Sequence, residues 1–110
     1  MKLNEVIKTL ELNSLHPNYD DVEICKVYTS DLLSDVMGNA PDDCILVTIQ
    51  AHKNTLAVAT LKDSPGIIIC NNRPVPEDLL KAAIEERIGL FVTEKNQYEV
   101  SGLLFGLLND

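Results

Sequence analysis

The chain has 110 residues, which suits one domain and is too short for two, because halves of that length rarely bury a core unaided. Its 17 acidic residues outnumber nine basic ones, and the net charge of −8 excludes nucleic acid as an expected partner. No apolar run approaches the ~20 residues that span a bilayer and no apolar signal core follows Met1, so we expect a cytoplasmic protein without membrane contact.

The chain opens with a helical pattern over 3–12, in which apolar residues recur at i, i+3, i+4 and i+7 from Leu3. Residues 13–21 follow as a loop rich in turn-forming side chains. Four apolar runs of strand length come next, and each leads into a helical segment. The runs are 22–28, 44–49, 66–70 and 90–93, and the helical segments are about 31–38, 55–62, 77–88 and 97–108.

This order, a helix and then four strand-helix units, predicts one α/β domain over 1–110 with a mainly parallel sheet of four or more strands flanked by helices. The second and third runs are continuously apolar and rich in β-branched residues, as expected of strands covered on both faces. The first run alternates and is expected at an edge of the sheet.

Helix boundaries are predicted from residues with capping chemistry. Ser30, Asn54 and Asn96 are expected to be N-caps, because their side chains can accept hydrogen bonds from free helical N–H groups. Gly38 and Gly89 are expected just past helix ends, in the conformation with positive φ.

Cysteine spacing concerns the redox environment of the chain. Cys25, Cys44 and Cys70 are widely spaced and each lies in an apolar stretch. The odd number and the spacing predict buried free thiols in a reducing compartment.

Several segments carry a resemblance to a known family. They are the string YTSDLLSDVM over 28–37, the strand PDDCILVTIQ over 41–50, the run GIII over 66–69 and the later strand LFVT over 90–93. Together they resemble the DRTGG domain family over about residues 2 to 107. The segment SDLLSDVM is the most specific part.

The resemblance implies a dimer-forming accessory domain that in some relatives takes part in adenine-nucleotide sensing. Such domains are similar to the N-terminal domain of HPr kinase/phosphorylase, and related ones accompany CBS pairs in some pyrophosphatases or occur within phosphotransacetylases. Standalone copies are linked with iron hydrogenase gene clusters. This chain departs from the hallmark residues: Gln50-Ala51-His52 stands in place of Gly-Asp-Arg, and Cys70-Asn71-Asn72 in place of Thr-Gly-Gly.

Ligands of open parallel sheets bind outside the carboxyl ends of the strands, so the residues just after each run are the candidates for a binding site. These positions gather basic, amide and hydroxyl side chains in an otherwise acidic chain. The candidate ligand-binding residues are Ser30, Gln50, His52, Asn54, Asn71, Asn72, Arg73 and Thr93.

Two of these residues have alternative interpretations. His52 could bind a nucleobase, accept a proton or bind a metal, or it could make an ordinary loop hydrogen bond. Neither a second histidine nor a carboxylate at ligand spacing supports a metal site, so none is expected. Arg73 could clamp a phosphate, or it could pair with a local carboxylate such as Glu77.

The last helix is apolar on nearly every side, which requires cover on more than one face. Burial within the subunit is one explanation, and a homodimer interface is the other. The candidate interface residues are Tyr98, Gly102, Leu104, Phe105 and Leu108.

The chain contains neither a Gly-x-x-x-x-Gly-Lys-Ser/Thr loop nor a Gly-x-Gly-x-x-Gly motif, so we expect no cofactor and no phosphoryl transfer. The leading hypothesis is a non-catalytic, homodimeric regulatory module that binds a small ligand, such as an adenine nucleotide, or a protein partner. The alternative is a small enzyme that uses His52 with Asn54 or Asn72.

Overall fold

The apolar runs of the sequence form a five-stranded sheet with helices on both faces. The computed structural model describes residues 1–109, and Asp110, the last residue of the predicted domain, lies outside them. The elements in chain order are α1 (Leu3–Leu10), β1 (Asn13–Ser14), β2 (Val27–Thr29), α2 (Leu33–Asn39), β3 (Ile45–Thr48), α3 (Lys53–Leu61), β4 (Gly66–Ile69), α4 (Glu77–Glu85), β5 (Gly89–Val92) and α5 (Gln97–Leu108).

The sheet has the strand order β1-β5-β4-β3-β2. Strands β2 to β5 are parallel and adjacent in sequence order, with Leu46 opposite Ile67 and Ile68 opposite Phe91. This confirms the predicted parallel sheet, and β2 is the edge strand that its alternating sequence indicated. The fold class is therefore α/β with five helices.

Two apolar cores lie on opposite faces of the sheet. Because successive side chains of a strand alternate between faces, Ile45 and Val47 pack toward α1 and α5, whereas Leu46 packs toward α2, α3 and α4. All four residues of β3 and all four of β4 are buried, which explains why these runs are apolar without interruption.

The segment over 13–21 differs from the predicted loop, since Asn13 and Ser14 form β1 antiparallel to β5. Both residues are exposed, so no apolar alternation marked this strand in the sequence. The same segment contains the buried side chain of His16. Its Nδ1 atom accepts a hydrogen bond from the Asn18 N–H at 3.0 Å, so Nε2 carries the hydrogen and donates to the Ile88 carbonyl at 2.8 Å.

The predicted glycine conformations are wrong. Gly38 lies inside α2 and Gly89 inside β5, and no glycine of residues 1–109 has a positive φ. Gly89 is instead required by packing: a Cβ there would lie 2.5 Å from Cζ of Phe91, whose ring occupies that space. Positive φ falls on polar residues at loop positions: Glu11, Asp43, Asp63, Asn71, Asn72 and Arg87.

Of the three predicted N-caps, one is confirmed. Asn96 accepts from the Glu99 N–H at 2.9 Å and Glu99 reaches back to the Asn96 N–H, which makes a capping box. Ser30 and Asn54 are not caps: α2 begins after Leu32, and α3 begins after His52.

The predicted burial of the thiols holds for two of the three cysteines. Cys44 and Cys70 are buried, and burial raises the pKa of both, that of Cys70 to about 11. Cys25 is exposed, so the prediction is wrong there. It precedes β2 at the free edge of the sheet, where no neighbouring strand covers it.

Candidate functional site

The carboxyl ends of the parallel strands bring the predicted binding residues to one edge of the sheet, because parallel strands end on the same side. Ser30 follows β2, Gln50 and His52 follow β3, Asn71 follows β4, and Thr93 follows β5. Most of the candidate side chains are exposed there. Ser30 is half-buried, and Thr93 is buried and accepts a hydrogen bond from the Lys95 N–H.

The chain after β5 crosses this edge on its way to α5. The Asn72 N–H donates to the Thr93 carbonyl at 2.8 Å, and the Asn71 N–H donates to the Lys95 carbonyl at 3.0 Å. Both asparagines adopt positive φ, 61° for Asn71 and 50° for Asn72. Asparagine thus keeps a left-handed backbone where the family pattern has glycines, while the amides are already engaged with the crossing segment.

Asp31 organises the same edge and was not among the predicted site residues. A single oxygen, Oδ1, accepts from the Thr48 hydroxyl at 2.9 Å, from the Ile49 N–H at 2.9 Å and from Gln97 Nε2 at 2.8 Å. These bonds tie the end of β2 to β3 and to the start of α5. The only sign of this role in the sequence is that an acidic residue follows a strand. The three donors lie far from Asp31 along the chain, so the sequence does not predict them as its partners.

His52 makes a helix-capping hydrogen bond of the ordinary kind. Its Nδ1 atom accepts from the Asn54 N–H at 3.0 Å, so in the neutral ring the hydrogen is on Nε2. The exposed Nε2 is therefore a donor toward solvent. Among the described residues no group of three His, Cys, Asp or Glu side chains is close enough to hold a metal.

Basic and acidic side chains both lie at this edge: Glu77 and Asp78 are in the first turn of α4, and the exposed Glu94 follows Thr93. Of the two alternatives for Arg73, the pairing with Glu77 is not present: the two salt bridges within residues 1–109 join Met1 to Glu23 and Arg87 to Asp20. Arg73 is exposed, as is Lys53 in the first turn of α3, a turn that contains no acidic residue. The helix N-terminus adds partial positive charge to the same place.

The predicted interface residues of α5 separate into buried and exposed ones. Leu104 is 0% exposed and belongs to the core that α1 and α5 share, so within the subunit it has no accessible surface. Tyr98 is 87% exposed and Phe105 is 71% exposed. Gly102 has open space where a Cβ would be, and Leu108 is half-buried. A helix with one buried stripe still presents aromatic rings to solvent.

Two clefts lie away from the carboxyl edge. One of about 480 Å³ is at the opposite edge, and its lining carries five carboxylates against the guanidinium of Arg87, which is itself bonded to Asn18 and Asp20. Such a lining repels anions. The other, of about 390 Å³, is a groove between β2 and α5 lined by Cys25, Lys26, Val27, Pro41, Ser101, Leu104, Phe105, Leu108 and Asn109.

A hydrogen-bonded pair lies on the other face of the edge strand. The Tyr28 hydroxyl donates to Asp35 Oδ2 at 2.8 Å, and Asn39 Nδ2 donates to Asp35 Oδ1 at 2.9 Å. The bond from Tyr28 is the main reason that the pKa of Asp35 lies below its usual value, and the same bond raises the pKa of Tyr28. Asp35 is therefore a fixed negative charge close to β2, the edge strand of the sheet.

In class, the molecule is a singly wound α/β domain whose polar and basic side chains collect at the carboxyl ends of its strands. No family model matches the chain, and no curated protein matches it significantly. A similar solved structure is that of the CBS and DRTGG domains of the regulatory region of Clostridium perfringens pyrophosphatase, complexed with the activator diadenosine tetraphosphate.

That structure is 13% identical to this chain, with a TM-score of 0.74. The match covers 93% of this chain and 45% of the other, so this chain spans less than half the length of its structural neighbour. The fold is therefore DRTGG-like, in agreement with the sequence resemblance. Within residues 1–109 no helix has both the length and the apolar character needed to cross a bilayer.

Proposed function

We propose that the chain is a non-catalytic, homodimeric regulatory module that binds a small anionic ligand, such as an adenine nucleotide, at the carboxyl edge of its sheet. The observation that carries the proposal is the group of exposed donors formed by His52, Lys53 and Arg73. Within residues 1–109 neither Lys53 nor Arg73 takes part in a salt bridge, which leaves both cations available to an anion from outside.

The expected binding is weak, because side chains alone would supply it. The amides of Asn71 and Asn72, which could otherwise form a nest for phosphate, donate to the segment after β5. Hydrolysis is not expected, since the chain has no phosphate-binding loop of the kind that catalyses phosphoryl transfer. An affinity in the high micromolar range suits a sensor of metabolite levels.

The structural neighbour supports a regulatory role by analogy, since it is a regulatory region in complex with a nucleotide activator. The resemblance to standalone relatives extends the proposal to metabolic or hydrogenase-linked regulation. The proposal also includes binding to a protein partner, which the module would regulate.

The alternative of a small enzyme has less support. A general base at His52 would need Nδ1–H held by an acceptor and a free Nε2 lone pair, whereas Nδ1 itself accepts a hydrogen bond from the Asn54 N–H. Neither of the two clefts described above includes His52 or Asn72. The side chains of His52, Asn54 and Asn72 are all exposed.

Titration calorimetry and amide NMR with AMP and ATP test the proposal. Binding should be weak, should shift the amides over 52–54 and 71–73, and should weaken about fivefold or more in Arg73→Gln, because one charged contact is lost. Lys81→Gln, an exposed charge on α4, is the matched control and should bind as the wild type does. Release of phosphate from ATP, or ligand shifts confined to the acidic cleft, would contradict the proposal.

A further inference from the structure

The free edge of β2 carries backbone groups without partners. On either side of β2 the Lys26 carbonyl accepts from the Ile45 N–H and the Ser30 N–H donates to the Val47 carbonyl, so the backbone groups of the even-numbered residues face β3. The odd-numbered Val27 and Thr29 therefore direct their N–H and C=O groups away from it. β2 is the last strand in the sheet order, and within residues 1–109 no strand lies on that side.

The N-terminal segment does not cover this edge. The Ile24 N–H donates to the Met1 carbonyl at 2.9 Å. Ile24 is even-numbered, like the residues whose backbone groups face β3, so this bond lies on the side away from the free edge. Exposed strand edges of this kind are templates for pairing with a further strand. Among residues 1–109 the outward-facing backbone groups of Val27 and Thr29 thus have no strand partner, and Cys25 lies just before the strand.

On the α5 side of the edge, the lining of the groove is mainly apolar and contains no acidic side chain among residues 1–109. The groove between β2 and α5 is lined by Val27, Leu104, Phe105 and Leu108, with Lys26 as its one charged residue. In a chain with 17 acidic residues, two copies repel each other over most of their surface. The described lining of this groove adds no carboxylate to that repulsion.

We propose that two copies of this chain pair antiparallel along the free edge of β2, about a twofold axis at Val27, to form one continuous sheet. The inference rests on the homodimer of the proposed function and specifies its contact surface. This register pairs Val27 and Thr29 of β2 and extends the strand over Cys25 on dimerisation, which gives about six backbone hydrogen bonds, more than registers shifted by one residue. The surface contacts its own symmetry copy, as a twofold interface requires.

Charge complementarity supports this register. Lys26 and Tyr28 alternate with Val27 and lie on the same face, and the register places Lys26 of one copy directly opposite Tyr28 of the other. Side chains in that relation are neighbours, about 5 Å apart at Cβ. Because the Tyr28 hydroxyl is bonded to Asp35, the lysine ammonium comes within reach of the Asp35 carboxylate of the other copy. The contact occurs twice in the dimer.

The helices also fit this arrangement. A twofold axis perpendicular to the sheet keeps both copies of α5 on the same face, side by side at the axis. Phe105, exposed at the lip of the groove, then covers apolar surface of the second copy. Gly102 and Gly106 have no packing role within the subunit, since a Cβ at either would meet nothing within 4 Å. They leave room for the second helix.

Disulfide trapping tests the proposed register. Cys25 of one copy lies opposite Thr29 of the other, with Cα atoms about 5.5 Å apart, within the range that a disulfide spans. Thr29→Cys should therefore form a covalent dimer under mild oxidation with diamide, which takes up the two electrons and two protons of the thiol pair. Wild type and Cys25→Ser/Thr29→Cys should not, because identical positions lie about 13 Å apart.

Sedimentation velocity on the same proteins tests separately whether the chain forms a homodimer and whether the dimer pairs through β2. A wild type that stays monomeric at high micromolar concentration would contradict the homodimer itself. A dimeric Thr29→Cys protein that forms no disulfide, or cross-linking in the wild type or in Cys25→Ser/Thr29→Cys, each of which has one exposed thiol, would contradict the edge pairing and leave the homodimer standing. Lys26→Glu should weaken dimerisation about tenfold or more, whereas Lys81→Glu, with the same charge change on α4, should not.

Discussion

At the scale of single residues, the edge of the sheet shows how asparagine can stand in for glycine. Asn71 and Asn72 hold positive φ in succession, which most side chains resist by roughly 1–2 kcal/mol. The amides that this turn exposes are bonded to the chain after β5. The turn therefore has two successive left-handed residues, and its amides have an internal use.

Buried thiols make the stability of the domain sensitive to alkaline pH. Burial raises the pKa of Cys70 from 9.0 to about 11, so the unfolded chain loses this proton at lower pH than the folded one. The stabilisation is complete below pH 9 and is lost as pH rises toward about 11. We expect the urea midpoint to fall over this window, and to fall less steeply in Cys70→Ala.

The matched control is Cys25→Ser, which removes the exposed thiol and should leave the fall as steep as in the wild type. Urea unfolding followed by circular dichroism from pH 7 to 11 provides the measurement. An identical slope in Cys70→Ala and wild type would mean that this thiol is not held in its protonated form by burial.

At the scale of elements, α5 combines two surfaces that its sequence does not distinguish. Val100 and Leu104 fill the core under the helix, while Tyr98 and Phe105 face solvent. Since the buried and the exposed residues of α5 are both apolar, their spacing in the sequence indicates only that more than one face of the helix is covered. The contacts with β2 and β3 decide which stripe is core, and those contacts depend on the complete fold.

A pair of substitutions distinguishes the buried side of α5 from its exposed side. Leu104→Ala should lower the free energy of unfolding by about 2–5 kcal/mol, because it leaves a cavity in the core. Phe105→Ala should change it by less than about 1 kcal/mol when measured on dilute protein, since its ring packs little within the subunit. Urea titrations compare the two variants, and a large loss in Phe105→Ala would place that ring in the core of the subunit.

The sequence predicted the elements that have apolar periodicity and missed those that depend on distant partners. The buried strands β3 and β4 are recognisable because both faces are covered. Asn13 and Ser14 form a strand only because β5 offers a free edge, and no pattern within them indicates it. Likewise the donors to Asp31 come from β3 and α5, so only the folded chain brings them together.

At the scale of the whole molecule, charge governs what can bind. Three of the nine basic side chains donate to the chain itself: Lys62 to the Ala40 carbonyl, Lys95 to the Leu10 carbonyl and Arg87 to Asp20. At the carboxyl edge the exposed cations Lys53 and Arg73 share the surface with Glu77, Asp78 and Glu94, so an anion that fits there must be small. A mononucleotide matches this area, and a polyanion extends into acidic surface.

This argument predicts that the chain discriminates against nucleic acid while still binding AMP. A labelled oligonucleotide of about 20 nucleotides, single- or double-stranded, should show no change in anisotropy at micromolar protein in 0.1 M salt, because repulsion from a chain of charge −8 outweighs contacts with Lys53 and Arg73. Lowering the salt should not restore binding, since weaker screening strengthens the repulsion too. Binding that strengthens steeply as salt falls would mean that the basic edge extends further than the fold indicates, and the mononucleotide proposal would then give way to a nucleic-acid interface.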